Sequence, residues 1–215
     1  MNPQLERRRL LVGAFATPQP ALFLDRDGVL IKDKHHLCDP IDVDLCPGAI
    51  ALVAAAHSQG WPVVVVTNQS GIARGYFNWD SYELISDRLL EILGPSAPLA
   101  AIYANGHGPQ APRSSWRKPS PAMLLAAADD LNLDLNRSLL VGDRLSDLQA
   151  GVSAGLTCIA HVLSGHGDHE RSAVISWTEE RRYSTDTNHK VELILLQSLL
   201  DFPLRLLKST AQSAL

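Results

Sequence analysis

Asp25 and Asp27 stand two residues apart at the end of the apolar run Ala21-Leu22-Phe23-Leu24, and Gly28 follows directly. A short apolar run closed by a glycine turn reads as a buried strand. Both carboxylates then sit at the carboxyl edge of a sheet, where open α/β sheets bind ligands. Two acids crowded there repel each other and resist burial unless a cation joins them. Asp and Gly also favour plain turns, so the pair alone does not establish catalysis.

Three further segments strengthen it. Thr67-Asn68-Gln69-Ser70-Gly71 ends a second apolar run, Gly142-Asp143-Arg144 ends a third, and Arg117-Lys118-Pro119 precedes a helix start. Asp25 and Asp27 from one strand with Asp143 from another suit a hard divalent cation such as Mg2+, which takes oxygen ligands and keeps several waters. Hydroxyl, amide and backbone N–H groups around Thr67, Asn68, Gln69 and Ser70 suit phosphate oxygens. Lys118 supplies a point charge and Arg117 a planar fork, both matched to phosphate.

Alternating strands and helices must bring these segments together. Residues 21–25 read as the first strand. Pro47-Gly48 opens a helix with Ala49, Leu52, Val53 and Ala56 on one face, and Gly60 ends it. Trp61 to Thr67 reads as a buried strand, Tyr82, Ile85, Leu89 and Ile92 as a helix face, and Leu99 to Ala104 as a strand. After a loop over 105–119, Ser120-Pro121 starts a helix, with Ser120 as its cap. Ser138 to Val141 is a strand, 145–153 a short helix and Leu156 to Val162 a further strand. This order predicts a mostly parallel sheet with helices on both faces. Residues 164–188 are polar without a sharp period and read as a loop or meander. Val191 to Leu200 reads as a helix that is apolar nearly all round, with Pro203 breaking it.

Composition narrows the function. A chain of 215 residues with 46% hydrophobic residues supports a real core. The net charge of −4 argues against broad nucleic-acid binding. Cys38, Cys46 and Cys158 form no pairing pattern, which suits a reducing compartment. Arg7-Arg8-Arg9 ahead of an apolar stretch only faintly imitates a signal peptide. No apolar run reaches the ~18 residues a membrane span needs, so a cytoplasmic chain without a membrane partner is expected.

The four segments, in order, resemble the motifs of the haloacid dehalogenase (HAD) superfamily of phosphatases. Asp25-Arg26-Asp27-Gly28-Val29 matches the first motif, Thr67-Asn68 the second, Lys118 the third, and Gly142-Asp143 with Asp147 the fourth. The resemblance covers about residues 21–160. It implies an α/β fold, a Rossmann-like three-layer sandwich with a mostly parallel central sheet. It also implies that Asp25 attacks phosphorus, that Asp27 serves as acid and base, and that Thr67 and Lys118 hold the phosphoryl group. Mg2+ would bind Asp25, the backbone carbonyl of Asp27, and Asp143. Asp147, one helical turn beyond Asp143, either supports the metal or Lys118, or caps the helix start.

Val65 to Phe77, Arg117-Lys118-Pro119 and Val141 to Asp147 are similar, more narrowly, to the heptose bisphosphate and histidinol-phosphate phosphatases. That likeness implies a substrate pocket lined by Asp33 to His36 and by Thr67 to Ser70. Arg117 would meet a second phosphate or the sugar, Arg144 would add charge, and Arg74 lies near the mouth or on the surface. Only about 33 residues separate Asp27 from Trp61 and about 50 separate Asn68 from Lys118, which leaves no room for a separate cap domain. Many relatives carry a zinc loop of Cys-x-His and Cys-x-Cys. The matching positions here are Ala104, Gly106, Ser114 and Trp116, which cannot ligate zinc, so no zinc is expected. His107 then stands alone and reads as a surface residue, leaving the loop to be held by packing, with Trp116 the candidate. His161, His166 and His169 are spaced suggestively but read as non-ligands.

These readings predict an N-terminal extension over 1–20, a phosphatase core over 21–163 and a C-terminal extension over 164–215. The chain is expected to be a Mg2+-dependent phosphomonoester hydrolase acting on a phosphorylated sugar, as a monomer or weak homodimer. The substrate that the resemblance implies is D-glycero-D-manno-heptose 1,7-bisphosphate. Histidinol phosphate or another small phosphate is the alternative. A non-catalytic phosphate-binding protein and a phosphotransferase are the competing classes.

Overall fold

In a computed structural model describing residues 5–34, 37–183 and 191–207, Asp25 follows the central strand of a seven-stranded sheet. The elements are β1 (Glu6–Leu10), β2 (Leu22–Leu24), α1 (Ala49–Ser58), β3 (Val63–Asn68), α2 (Trp79–Leu93), β4 (Ala101–Asn105), α3 (Ala122–Leu131), β5 (Leu139–Gly142), α4 (Leu145–Ser153), β6 (Cys158–Val162), α5 (Gly167–Tyr183) and β7 (Glu192–Leu196). The sheet order is β1-β4-β3-β2-β5-β6-β7. Only the pairing of β1 with β4 is antiparallel.

The central strands are covered on both faces. Along β2, Leu22 and Leu24 enter one core and Phe23 the other, and none of the three reaches solvent. Val63 and Val65 repeat this alternation against Val64 and Val66 on β3. One core is closed by α1 and α2, the other by α3 and α4. A parallel sheet covered on both faces needs such near-continuous apolar runs. Sequential strands leave β2 in opposite directions, β3 on one side and β5 on the other. A crevice opens at such a switch point, beyond the carboxyl ends of the strands. Leu24 pairs with both Val65 and Val141, so β2 ends one residue before β5 does, while β3 runs three residues further, to Asn68.

The C-terminal region differs from expectation. Residues 167–183 form a helix where a loop is expected. Its covered stripe is thin, with Val174, Trp177 and Thr178 at helical spacing amid charged residues, so the period is faint. Conversely, the expected helix over Val191 to Leu200 is strand β7, parallel to β6. Leu193 packs with one core, while Ile194 and Leu196 pack with the other. An edge strand that packs partly on both faces, with Leu195 left exposed, reads as apolar nearly all round for that reason. Pro203 breaks no helix; it leads into a single 3-10 turn, Leu204–Leu206. At the other end, β1 joins the sheet, and its arginines pair with Glu83, Asp130 and Asp87. The expected helix cap at Ser120 is displaced by one residue to Pro121, though the Ser120 hydroxyl still accepts the Ala122 N–H. Among the described residues, no helix is long and apolar enough to cross a membrane.

Strand and helix make opposite demands on neighbouring leucines here. Leu196 is 2% exposed and Leu195 45%. Leu196→Ala is expected to cost about 2–4 kcal/mol in urea unfolding, and Leu195→Ala about 0.5 kcal/mol or less. Equal losses at the two positions would contradict the strand.

Candidate active site

The backbone N–H of Asp25 donates to the Val141 carbonyl at 3.1 Å, fixing the residue where β2 meets β5. Next to it, Gly28 turns the chain with φ +84°, and a Cβ there would stand 2.5 Å from Asp143 Oδ2. Glycine is therefore required twice, by its backbone angle and by the approach of Asp143. Gly142 has a similar constraint, since a Cβ there would collide with the Cβ of Asp147.

Lys118 lies at the centre, 2% exposed. Its Nζ is 2.9 Å from Asp25 Oδ1 and 2.8 Å from Asp147 Oδ1, and it donates to the Val66 carbonyl at 2.8 Å. Burial alone would depress the lysine, but Asp147 and Asp25 outweigh it and hold its pKa above the ordinary value. The two alternatives for Asp147 are both realised. One oxygen meets Lys118, and the other accepts the Arg144 N–H at 2.9 Å at the start of α4.

Asp25, Asp143 and Asp147 bring carboxylate oxygens within 4.8 Å of one another. Burial, opposed by Lys118 and assisted by Asp147, pushes Asp25 up to about 6. Burial with the nearby charges of Asp147 and Asp25 pushes Asp143 up to about 8. Asp143 has no exposed surface, and its Oδ2 accepts the His166 N–H at 2.7 Å. Its Oδ1 is buried without a hydrogen-bond partner. One ammonium among three acids leaves excess negative charge in a dry place, and an unpartnered oxygen aimed into it suits a small hard cation.

Asp27 is held apart from this cluster. Arg26 forks it at 3.0–3.3 Å, and Gln69 Nε2 donates to it at 2.7 Å. Gln69 also donates to Thr67 Oγ1 at 2.8 Å and accepts from Arg26 at 3.0 Å. Arg26, 2% exposed, lies over the Tyr82 ring at 5.1 Å. Asn68 brackets the backbone of Lys118, accepting its N–H at 3.1 Å and donating to its carbonyl at 3.2 Å. Gln69 and Asn68 thus position Asp27 and Lys118 as well as lining the cavity.

That cavity holds about 520 Å³, open mouth included, and Asp27, Asp33, Asn68, Gln69, Ser70 and Arg144 are among its walls. Thr67, Lys118, Asp25 and Asp143 are buried and are not among those walls. Arg117, half-buried, is not among them either; it donates to the His107 carbonyl at 3.0 Å. Burial, then the charges of Arg74 and Arg144, lower its pKa. His36 lies outside the described residues.

Sequence reasoning missed two participants and misjudged a third. His166 pairs with Asp33 at 2.9 Å on the cavity wall. The available signal was its place after β6, a further strand end at the same edge. Arg26 sat inside the first motif without a role. His107 is buried, at 8% exposed, and faces Glu6 rather than solvent. His161 is fully buried; its Nδ1 accepts from Arg171 and its Nε2 faces the Asp143 carbonyl at 3.0 Å. That arrangement assigns the proton to Nε2, and burial keeps the ring below its ordinary pKa.

A HAD-hydrolase-like family model matches residues 115–185. The D-glycero-beta-D-manno-heptose-1,7-bisphosphate 7-phosphatase of Mesorhizobium japonicum is 48% identical over 144 residues, 64% of this chain and 66% of that protein. The D-glycero-alpha-D-manno-heptose-1,7-bisphosphate 7-phosphatase of Burkholderia mallei is 41% identical over 143 residues, 63% of this chain and 76% of that protein. Among solved structures, the D,D-heptose 1,7-bisphosphate phosphatase of B. bronchiseptica, complexed with magnesium and phosphate, superposes with a TM-score of 0.71. It is 29% identical, and the match covers 84% of this chain and 94% of that one. With its acids at the switch point of the sheet and these relatives, the chain belongs to the heptose-1,7-bisphosphate 7-phosphatase family of HAD-like phosphatases.

Proposed function

We propose that this chain removes the 7-phosphate of D-glycero-D-manno-heptose 1,7-bisphosphate through an aspartyl-phosphate on Asp25. The observation that carries the chemistry is the separation of two carboxylates into two settings. Asp25 is locked on Lys118, and Asp27 is oriented by Arg26 and Gln69. Acids two residues apart in unlike environments can take unlike roles.

In the first step a carboxylate oxygen of Asp25 forms a bond to phosphorus. The bond from phosphorus to the sugar oxygen breaks, and that oxygen takes a proton from Asp27. In the second step Asp27 takes a proton from water, whose oxygen attacks phosphorus. The acyl-phosphate bond breaks, phosphate leaves and Asp25 is restored. Lys118 offsets charge on the nucleophile and the phosphoryl oxygens, and the Thr67 hydroxyl is placed to hydrogen-bond them. At ~4 Å and an effective dielectric of 20, each unit-charge pair is worth roughly 4 kcal/mol.

Asp25 and Asp143 would hold Mg2+ with the Asp27 carbonyl, and the ion would neutralise charge on the transferring group. The unpartnered Asp143 Oδ1 supports this assignment. Residues 104, 106, 114 and 116 offer no zinc ligands, so zinc has no part in the proposal. Arg74 and Arg144 act on Arg117 through their charges, and these three cations support a substrate with a second phosphate. Guanidiniums repel one another unless an anion joins them, and phosphate accepts their paired N–H groups.

Phosphate release should be measured with both heptose bisphosphate anomers, histidinol phosphate, simple sugar phosphates and a 3′-phosphorylated oligonucleotide. One heptose anomer is expected to dominate, only with Mg2+ present, and Asp25→Asn to abolish release. Uniformly weak release would contradict the substrate, and an active Asp25→Asn would contradict the nucleophile. Arg117→Ala is expected to raise KM for the bisphosphate roughly 10- to 100-fold, the worth of a charge-assisted pair, with kcat nearly kept. An equal loss on a monophosphate would remove Arg117 from the second-phosphate role.

The same acids set a pH dependence. Asp25 and Asp143 are raised from 3.8 to about 6 and about 8. Their contribution to stability is therefore full below pH ~4 and is lost as pH rises through these values. Metal-depleted protein is expected to melt at a lower temperature at pH 8.5 than at pH 5.5. Mg2+ should restore more at pH 8.5, and Asp143→Asn should flatten the difference. Thermal melts that are flat across this range, or unchanged by Asp143→Asn, would contradict the charge assignment.

A further inference from the structure

Strand β1 points four of its five side chains toward solvent or partly so, and buries one, Glu6. A carboxylate turned inward from an edge strand is costly unless it is bonded. Arg7, Arg8 and Arg9 do not satisfy it, since they pair with Glu83, Asp130 and Asp87. Instead, Glu6 Oε1 accepts the Trp116 N–H at 2.8 Å and stands 3.5 Å from His107 Nε2.

His107 opens the loop that Trp116 closes, and Arg117 follows at once. One carboxylate therefore ties both ends of that loop. The adjoining residue reinforces the tie, because the Leu5 carbonyl accepts the Gly106 N–H at 2.6 Å. Trp116 packs on Tyr103 with ring centroids 5.5 Å apart. Arg117 is then gripped twice, through the backbone after Trp116 and through its bond to the His107 carbonyl at 3.0 Å. Lys118 is anchored separately, by Asn68, Val66, Asp25 and Asp147.

We propose that Glu6 is a positioning residue for substrate selection: it clasps the 107–116 loop so that Arg117 faces the second phosphate. This rests on the bisphosphate reading of the site. Because Lys118 does not depend on the clasp, Glu6 acts on recognition and leaves the chemical step alone.

The test compares kcat/KM for the heptose bisphosphate with kcat/KM for p-nitrophenyl phosphate, as a ratio. Glu6→Ala is expected to lower this ratio about tenfold through KM, the order of a lost charge-assisted bond, with kcat within about twofold. Glu6→Gln keeps an acceptor for the Trp116 N–H and should lower it about threefold. In an Arg117→Ala background, Glu6→Ala should change the ratio little, because residues acting through one contact are not additive. An unchanged ratio in Glu6→Ala would overturn the proposal. So would an equal drop in the Arg117→Ala background, or a parallel loss of kcat on both substrates. If Glu6→Ala does not fold, Glu6→Gln decides, and a wild-type ratio there overturns it. A wild-type enzyme indifferent to the second phosphate would overturn the bisphosphate reading itself, and the clasp's role with it. A selective enzyme with an indifferent Glu6→Ala would overturn the clasp alone.

Discussion

A single buried ammonium shared by two carboxylates constrains everything around it. Lys118 lies between Asp25 and Asp147 at under 3 Å from each. Removing one member of a buried charge set costs about 3–5 kcal/mol, because the others are left uncompensated. The site is therefore cooperative. Asp147 must sit in the first turn of α4, Asn68 must hold the Lys118 backbone, and Asp25 must follow β2 directly, bonded to β5 through the Val141 carbonyl. Lys118 cannot also neutralise Asp143, whose free buried oxygen is left for a cation.

The fold meets these demands with few residues. Register sets β2, β3 and β5 side by side at the carboxyl edge, and the reversal of strand order beside β2 opens the crevice. Buried networks behind the reacting groups do the orienting. Arg26 and Gln69 direct Asp27, and His161 and His166 brace Asp143. Without room for a separate cap, discrimination falls to loops, and the 107–116 loop is anchored from the far edge of the sheet by Glu6.

Much of this was legible in the sequence, for a physical reason. Asp25, Lys118 and Asp143 each follow or precede an element with a strong local signal: a buried run, a helix start, a glycine turn. Their meeting then follows from parallel topology. Glu6 and His166 carry no such signal, because their roles arise from contacts across 110 and 133 residues of chain, to Trp116 and Asp33. His107 read as a surface residue because Glu6, which its ring faces, lies on a strand that composition did not reveal. At the C-terminus, an apolar segment suits a two-faced edge strand or a buried helix equally well by pattern, and the sheet decided for β7. The α5 helix escaped notice because it buries too narrow a stripe. Asn68 and Gln69 were found, but their bonds to Lys118, Asp27 and Thr67 show a positioning part that spacing could not.

The central claim is that Asp25 carries the phosphoryl group between substrate and water. Acid-quenching the Mg2+-loaded enzyme during turnover, reducing it with borohydride and mapping peptides by mass spectrometry tests this directly, because an acyl phosphate is reduced to an alcohol. Homoserine is expected at position 25 and nowhere else. Homoserine at Asp27 or Asp143, or none at all while phosphate is being released, would contradict the account.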